Sequence, residues 1–69
     1  MESTESLMRL RDVETKTALR KSKIYQMVKD GDFPAPIALT TKSKAWICSE
    51  VNGWVRDKIA ASRAQGEAA

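Results

Sequence analysis

Two short stretches of the 69-residue chain carry groups that can hold a polyanion. The first is Arg20-Lys21-Ser22-Lys23, followed by Tyr25, Gln26 and Lys29; the second is Thr40-Thr41-Lys42-Ser43-Lys44. Lysine and arginine neutralise phosphates, and serine, threonine and tyrosine donate hydroxyl hydrogen bonds to them. Glutamine can pair in bidentate fashion with an adenine edge, worth about 1–3 kcal/mol of discrimination. Catalytic chemistry has much less to work with. The sequence has no histidine, the commonest general base and metal ligand, and a single cysteine, Cys48, which can form neither an internal disulfide nor a CxxC pair. Nothing pairs a nucleophile with a base, so no enzyme is expected, and no metal, cofactor or small-molecule substrate.

The distribution of charge supports this emphasis. Twelve Lys and Arg against nine Asp and Glu leave only +3. Residues 1–19 hold three bases and four acids, and residues 45–69 three of each. Residues 20–44 hold six bases and two acids, so the whole excess, +4, lies in the middle of the chain. A local basic stripe is the footprint of a polyanion binder, although a solvated charged face would show the same composition. If all six bases meet phosphates of double-stranded DNA, the logarithm of the binding constant falls with that of salt at a slope near −5.

The elements that position these groups follow from periodicity. A short helix is expected at about 11–18, entered from Leu7 and Leu10, with Asp12 and Glu14 in its first turn and Val13 facing inward. Thr15 and Thr17 weaken it. A second helix is expected over 21–30. Ile24, Met27 and Val28 make one apolar stripe, Ser22, Gln26 and Lys29 lie opposite, and Gly31 ends it. Between the two helices Ala18-Leu19-Arg20 forms the turn, with Leu19 as its apolar plug. Phe33-Pro34-Ala35-Pro36 then breaks helical structure, and residues 37–39 and 45–47 alternate as strands around a twice-basic tip. A last helix is expected from Ser49, as N-cap, to Arg63, with Val51, Trp54, Val55 and Ile59 on one buried face. Gly53 within it marks either close packing or a soft spot. Trp46 and Trp54 have aliphatic neighbours and are expected to pack in the core, where stacking on bases would be the alternative. Cys48 reads as a small hydrophobe at a strand end.

This is an α+β arrangement: a small winged helix-turn-helix of two short helices, a β-hairpin wing and a C-terminal helix. It occupies residues 7–63, with flexible tails expected at 1–6 and 64–69. The polar, acidic MESTES start is unlike a secretory leader, no apolar run is long enough for a membrane span, and the lone cysteine suits a reducing, cytoplasmic setting.

Residues 9–59 resemble the AlpA-like phage and prophage regulators. The resemblance is carried by Arg9-Leu10 and Val13; Leu19, Lys21-Ser22 and Ile24-Tyr25; Gly31 with Phe33-Pro34 and Pro36; Leu39; Trp46; and Ser49-Glu50-Val51 with Trp54. The run FPxPIxL, a tryptophan seven residues later and then SEVxxW is its most specific part. It implies a MerR-like winged-helix DNA-binding fold related to phage excisionases, with the 21–30 helix in the major groove and the 40–44 wing on the neighbouring backbone or minor groove. It also implies a role in transcription regulation or, alternatively, as an excisionase bending attachment-site DNA. Partners would be double-stranded DNA and, beside it, an integrase, RNA polymerase or further copies of the chain. The chain departs from the family where target preference would be set. Ala18-Leu19-Arg20 replaces Gly-Leu-Ser, Lys23 and Gln26 replace threonine and arginine, and Thr40-Thr41-Lys42 replaces Gly-Gly-Arg.

Within the reading helix, Ser22, Lys23 and Lys29 suit phosphates, Gln26 a base edge, and Arg20 and Lys21 the positive end of the helix dipole. Tyr25 could give its hydroxyl to a phosphate or simply close the core edge. Lys42 and Lys44 suit a narrow minor groove or its phosphates. No heptads follow Ile59, so tandem sites, protein contacts or cooperative loading, and not a coiled-coil dimer, are expected to raise affinity. A protein-interaction adaptor that keeps the fold without reading DNA is the competing class.

Overall fold

The computed structural model describes residues 5–68, with side chains described through Gln65. The parts of the expected tails at residues 1–4 and at 69 lie outside the described residues. The elements run β1 (Leu7–Met8), α1 (Leu10–Thr17), α2 (Lys21–Asp30), β2 (Ile37–Ala38), β3 (Lys44–Ile47) and α3 (Cys48–Ala68). The architecture is α+β, a winged helix-turn-helix in which three helices surround an antiparallel sheet of order β1-β3-β2. Among the described residues no helix is long and apolar enough to cross a membrane.

Helix α1 starts where the Asp12 carboxylate accepts the Arg9 backbone N–H at 3.2 Å. Its two threonines, poor helix formers, fold their hydroxyls back onto the helix: Thr15 donates to the Arg11 carbonyl at 3.1 Å and Thr17 to Val13 at 2.7 Å. The Thr17 oxygen also accepts the Leu19 N–H at 3.2 Å, which helps to shape the turn. That turn needs one left-handed residue. Ala18 supplies it at φ 63°, where a Cβ is disfavoured. Leu19 packs against the core as its plug.

Helix α2 covers the expected residues and stops at Gly31, φ 83°. The Gly31 N–H bonds to Val28 and the Asp32 N–H to Met27, a Schellman closure. Ile24 is fully buried, and Met27 and Val28 pack beside it. The core comprises Val13, Ile24, Phe33, Trp46 and Val51, so every major element contributes to it.

The sheet differs from the expected two-stranded hairpin. Strand β3 pairs with β2 through Ile37↔Ala45 and Ala38↔Lys44, and on its other edge with β1 through Leu7↔Ile47 and Met8↔Trp46. Two residues are too few to show strand periodicity, and so β1 leaves no signature of its own in the sequence. The end of the wing also tightens earlier than expected: Leu39 leaves the ladder, and its N–H bonds to the Ser43 carbonyl at 2.8 Å.

Helix α3 begins at Cys48, not with Ser49 as its cap. The Cys48 N–H bonds to the Ser6 carbonyl at 2.9 Å, and the Ser49 hydroxyl donates to the Glu5 carboxylate at 2.7 Å, so the incoming chain takes over the capping role. The helix also runs beyond Arg63 to Ala68, because the alanines, glutamine and glutamate of the expected tail are good helix formers that outweigh its one glycine. Its apolar face is buried only at its start. Val51 is fully buried, Trp54 and Val55 are half-buried, and Ile59 lies exposed where the helix passes the end of the core. A Cβ placed on Gly53 would meet nothing within 4 Å, which excludes close packing as the reason for the glycine.

Both tryptophans hold the segment that leaves α2. The Trp46 indole N–H donates to the Pro34 carbonyl at 2.9 Å and that of Trp54 to the Asp32 carbonyl at 2.7 Å. The Trp54 ring lies edge-on to Phe33 at 4.9 Å, with the Lys58 ammonium 5.4 Å from its centre. Trp46, at 1% exposed, has no face left for a base.

Three substitutions check this description by urea denaturation. Ala18→Gly should stabilise the fold by about 1 kcal/mol by removing the Cβ from a left-handed position. Gly53→Ala should add up to about 1 kcal/mol of helix propensity at a site with room for the methyl group. Trp46→Phe should cost about 2 kcal/mol or more, since it leaves the Pro34 carbonyl without its donor and opens a gap in the core.

Candidate nucleic-acid interface

The apolar stripe of α2 turns the rest of the helix outward. Arg20, Lys21, Ser22, Lys23, Tyr25, Gln26 and Lys29 are all exposed, whereas Ile24 between them is buried. The structure therefore brings the first group of residues together on the solvent side of one helix. The start of this helix is open as well. Arg20 is extended at φ −87°, ψ 161°, and no side chain caps it. The first intrahelical bond runs from the Ile24 N–H to the Arg20 carbonyl at 3.0 Å, so the amides of Lys21, Ser22 and Lys23 precede the ladder. Uncapped amides, the positive end of the helix dipole and three basic side chains coincide there, an arrangement suited to an anion. Arg20, Lys21, Ser22 and Tyr25, together with Glu14 of α1, line an open groove of about 360 Å³ at this end.

Tyr25 is 36% exposed, and its ring stands 5.9 Å from that of Trp46 at 58°. The ring contact ties the outward face of α2 to the central strand and leaves part of the residue in solvent. Of its two expected uses, packing is thus realised in the structure, and the exposed part leaves the other available.

The second group divides between the hairpin tip, which holds Thr40 to Ser43, and the first residue of β3, Lys44, which pairs with Ala38 one residue earlier than the strand was expected to begin. Thr40, Thr41, Lys42 and Lys44 are exposed, and Ser43 is half-buried. Local bonds order the tip although it has no glycine: the Ser43 carbonyl accepts the N–H groups of Leu39 at 2.8 Å and Thr40 at 3.2 Å, and the Thr40 hydroxyl accepts the Lys42 N–H at 3.1 Å. These contacts leave both lysine side chains facing water.

Two basic residues outside both groups join the wing. Arg9 and Arg11, at the start of α1, line an open cleft of about 440 Å³ together with Leu10, Asp12, Lys42, Ser43 and Lys44. In sequence they belong to a segment of net negative charge, and the pairing of β1 with β3, with α1 packed against β3, carries them to the hairpin. The sequence carried no signal for this, because the two-residue strand that brings them there is too short to show a period.

The comparisons with known proteins agree with this architecture. Residues 6–59 match the family described as prophage CP4-57 regulatory protein (AlpA). An uncharacterised protein, ORF88 of Enterobacteria phage P4, is 36% identical over 56 residues, covering 81% of this chain and 64% of the relative. The match therefore spans less than two thirds of that relative's length. No solved structure matches the chain. With a match that takes in both short helices, the wing and the start of α3, the chain belongs to the AlpA family of prophage regulatory proteins.

Proposed function

We propose that this chain is a sequence-specific double-stranded DNA-binding regulator of a phage or prophage, acting without catalysis in the cytoplasm where that DNA resides. One observation carries the reading: every basic and hydrogen-bonding residue of α2 is exposed, while its apolar stripe anchors it to the core. Helix α2 enters the major groove, as a rigid helix of this diameter can. Gln26, on its outer face, reads a base edge, with adenine the natural partner for its amide. Ser22, Lys23 and Lys29 meet phosphates, and Arg20 and Lys21 strengthen the anion site at the helix start. The wing, Thr40 to Lys44, follows the adjacent backbone or minor groove, with Lys42 and Lys44 supplying its charge. Phosphate contacts of this kind set register and orientation, and base contacts supply the preference.

Neutralising Lys23, Lys29, Lys42 and Lys44 together with glutamine is expected to weaken binding to a preferred duplex at least 100-fold and to flatten its salt slope by about 3 to 4. Unchanged binding in that variant would point to a protein partner. Gln26→Ala is expected to lower the preference for one base pair about 10-fold and leave the salt slope alone, as read by competition between duplexes that differ at that position.

A further inference from the structure

We infer that the cleft between the start of α1 and the wing is a second phosphate site, separate from the start of α2, and that it takes a phosphodiester of the DNA backbone. The inference rests on the DNA-binding reading above and adds a site to it. The sheet register builds the cleft. Leu7 faces Ile47 and Met8 faces Trp46, so one further step along the antiparallel ladder sets Arg9 beside Ala45, next to Lys44. On the far side of β3, the pairing of Ala38 with Lys44 starts the hairpin that carries Lys42. Arg9 and Arg11 from one wall and Lys42 and Lys44 from the other therefore share a cleft of about 440 Å³.

Asp12 is the lone acidic residue among its lining, and the Asp12 carboxylate already accepts the Arg9 backbone N–H at the start of α1. Four cations against one engaged carboxylate repel one another unless an anion lies between them. Guanidinium groups match phosphate oxygens with paired N–H donors, and lysines add charge without a fixed geometry. The cleft is open to solvent and no buried polar side chain points into it, which suits a passing strand of an extended polyanion better than an enclosed small molecule. A phosphodiester held there would bridge the wing to the first helix. The wing then acts as one jaw of a clamp, and not as a free finger.

Arg9→Gln/Arg11→Gln tests the site in the full chain. The Arg9 backbone, not its side chain, takes part in the start of α1, so the double variant should melt like the parent. Eight phosphate contacts correspond to a slope of about −7 on a random-sequence duplex, and the double variant should return it to about −5 with base preference unchanged. Arg9→Lys/Arg11→Lys should keep the steeper slope. If the parent binds with a slope near −5 and the glutamine variant matches it, the cleft does not hold DNA and the inference fails alone. A parent slope near zero removes the DNA-binding reading and this site together. Titration of the free protein with inorganic phosphate separates the remaining source. Saturable sub-millimolar binding that Arg9→Gln/Arg11→Gln abolishes, with no change in DNA slope, would make the cleft a small-anion pocket and overturn the assignment.

Discussion

The buried indole of Trp46 is where the parts of this molecule meet. Its strand residue pairs with Met8, its ring touches Tyr25, and its N–H holds the Pro34 carbonyl as the chain leaves α2. Around it lie Val13 of α1, Ile24 of α2 and Val51 of α3. In a chain of this length one thin core must fix every element, and a large aromatic with one polar handle does so economically. The consequence for function is orientation. Helix α2 is set against the wing by ring contact on one side and by a hydrogen-bonded loop on the other, so the two surfaces keep a fixed relation to each other.

The electrostatics follow from the same core. A net charge of +3 is too small to dictate a partner. Tertiary structure concentrates it, because the apolar stripe of α2 faces inward and every cation of that helix is left outside, while β3 draws the start of α1 to the wing. Cations distant in sequence thereby become neighbours. A polyanion meeting this side would find the open amides of α2, the hairpin lysines and the Arg9–Arg11 pair.

Most of the fold could be read from the residues. Helix α2 matched residue for residue because its stripe and its Gly31 stop are both strong signals, and the hairpin followed from the paired prolines and alternating residues after them. What escaped detection required contacts between distant segments. Strand β1 exists only because β3 offers an edge, and the start of α3 depends on Ser6 and Glu5 arriving at Cys48 and Ser49. The burial expected at Ile59 failed since periodicity names a face but not what covers it. The left-handed turn is a subtler case: Ala18 adopts the conformation that favours glycine, and Thr17 with Leu19 helps to hold it there. For the candidate interface, both helix and wing groups were visible as charge clusters. Arg9 and Arg11 were hidden by the acidic residues around them.

The departures at Lys23, Gln26 and the hairpin tip fall on exposed positions, so they change the surface without disturbing the core. A regulator and an excisionase could both be built on such a surface, since either begins by choosing its DNA. Selection of bound sequences from a pool of random duplexes at physiological salt, followed by footprinting, addresses that first step. A discrete enriched sequence, with protected major-groove positions beside backbone protection over the adjacent minor groove, is the expected result. A pool that emerges without enrichment, or protection that falls on no preferred site, would contradict sequence-specific recognition by this chain.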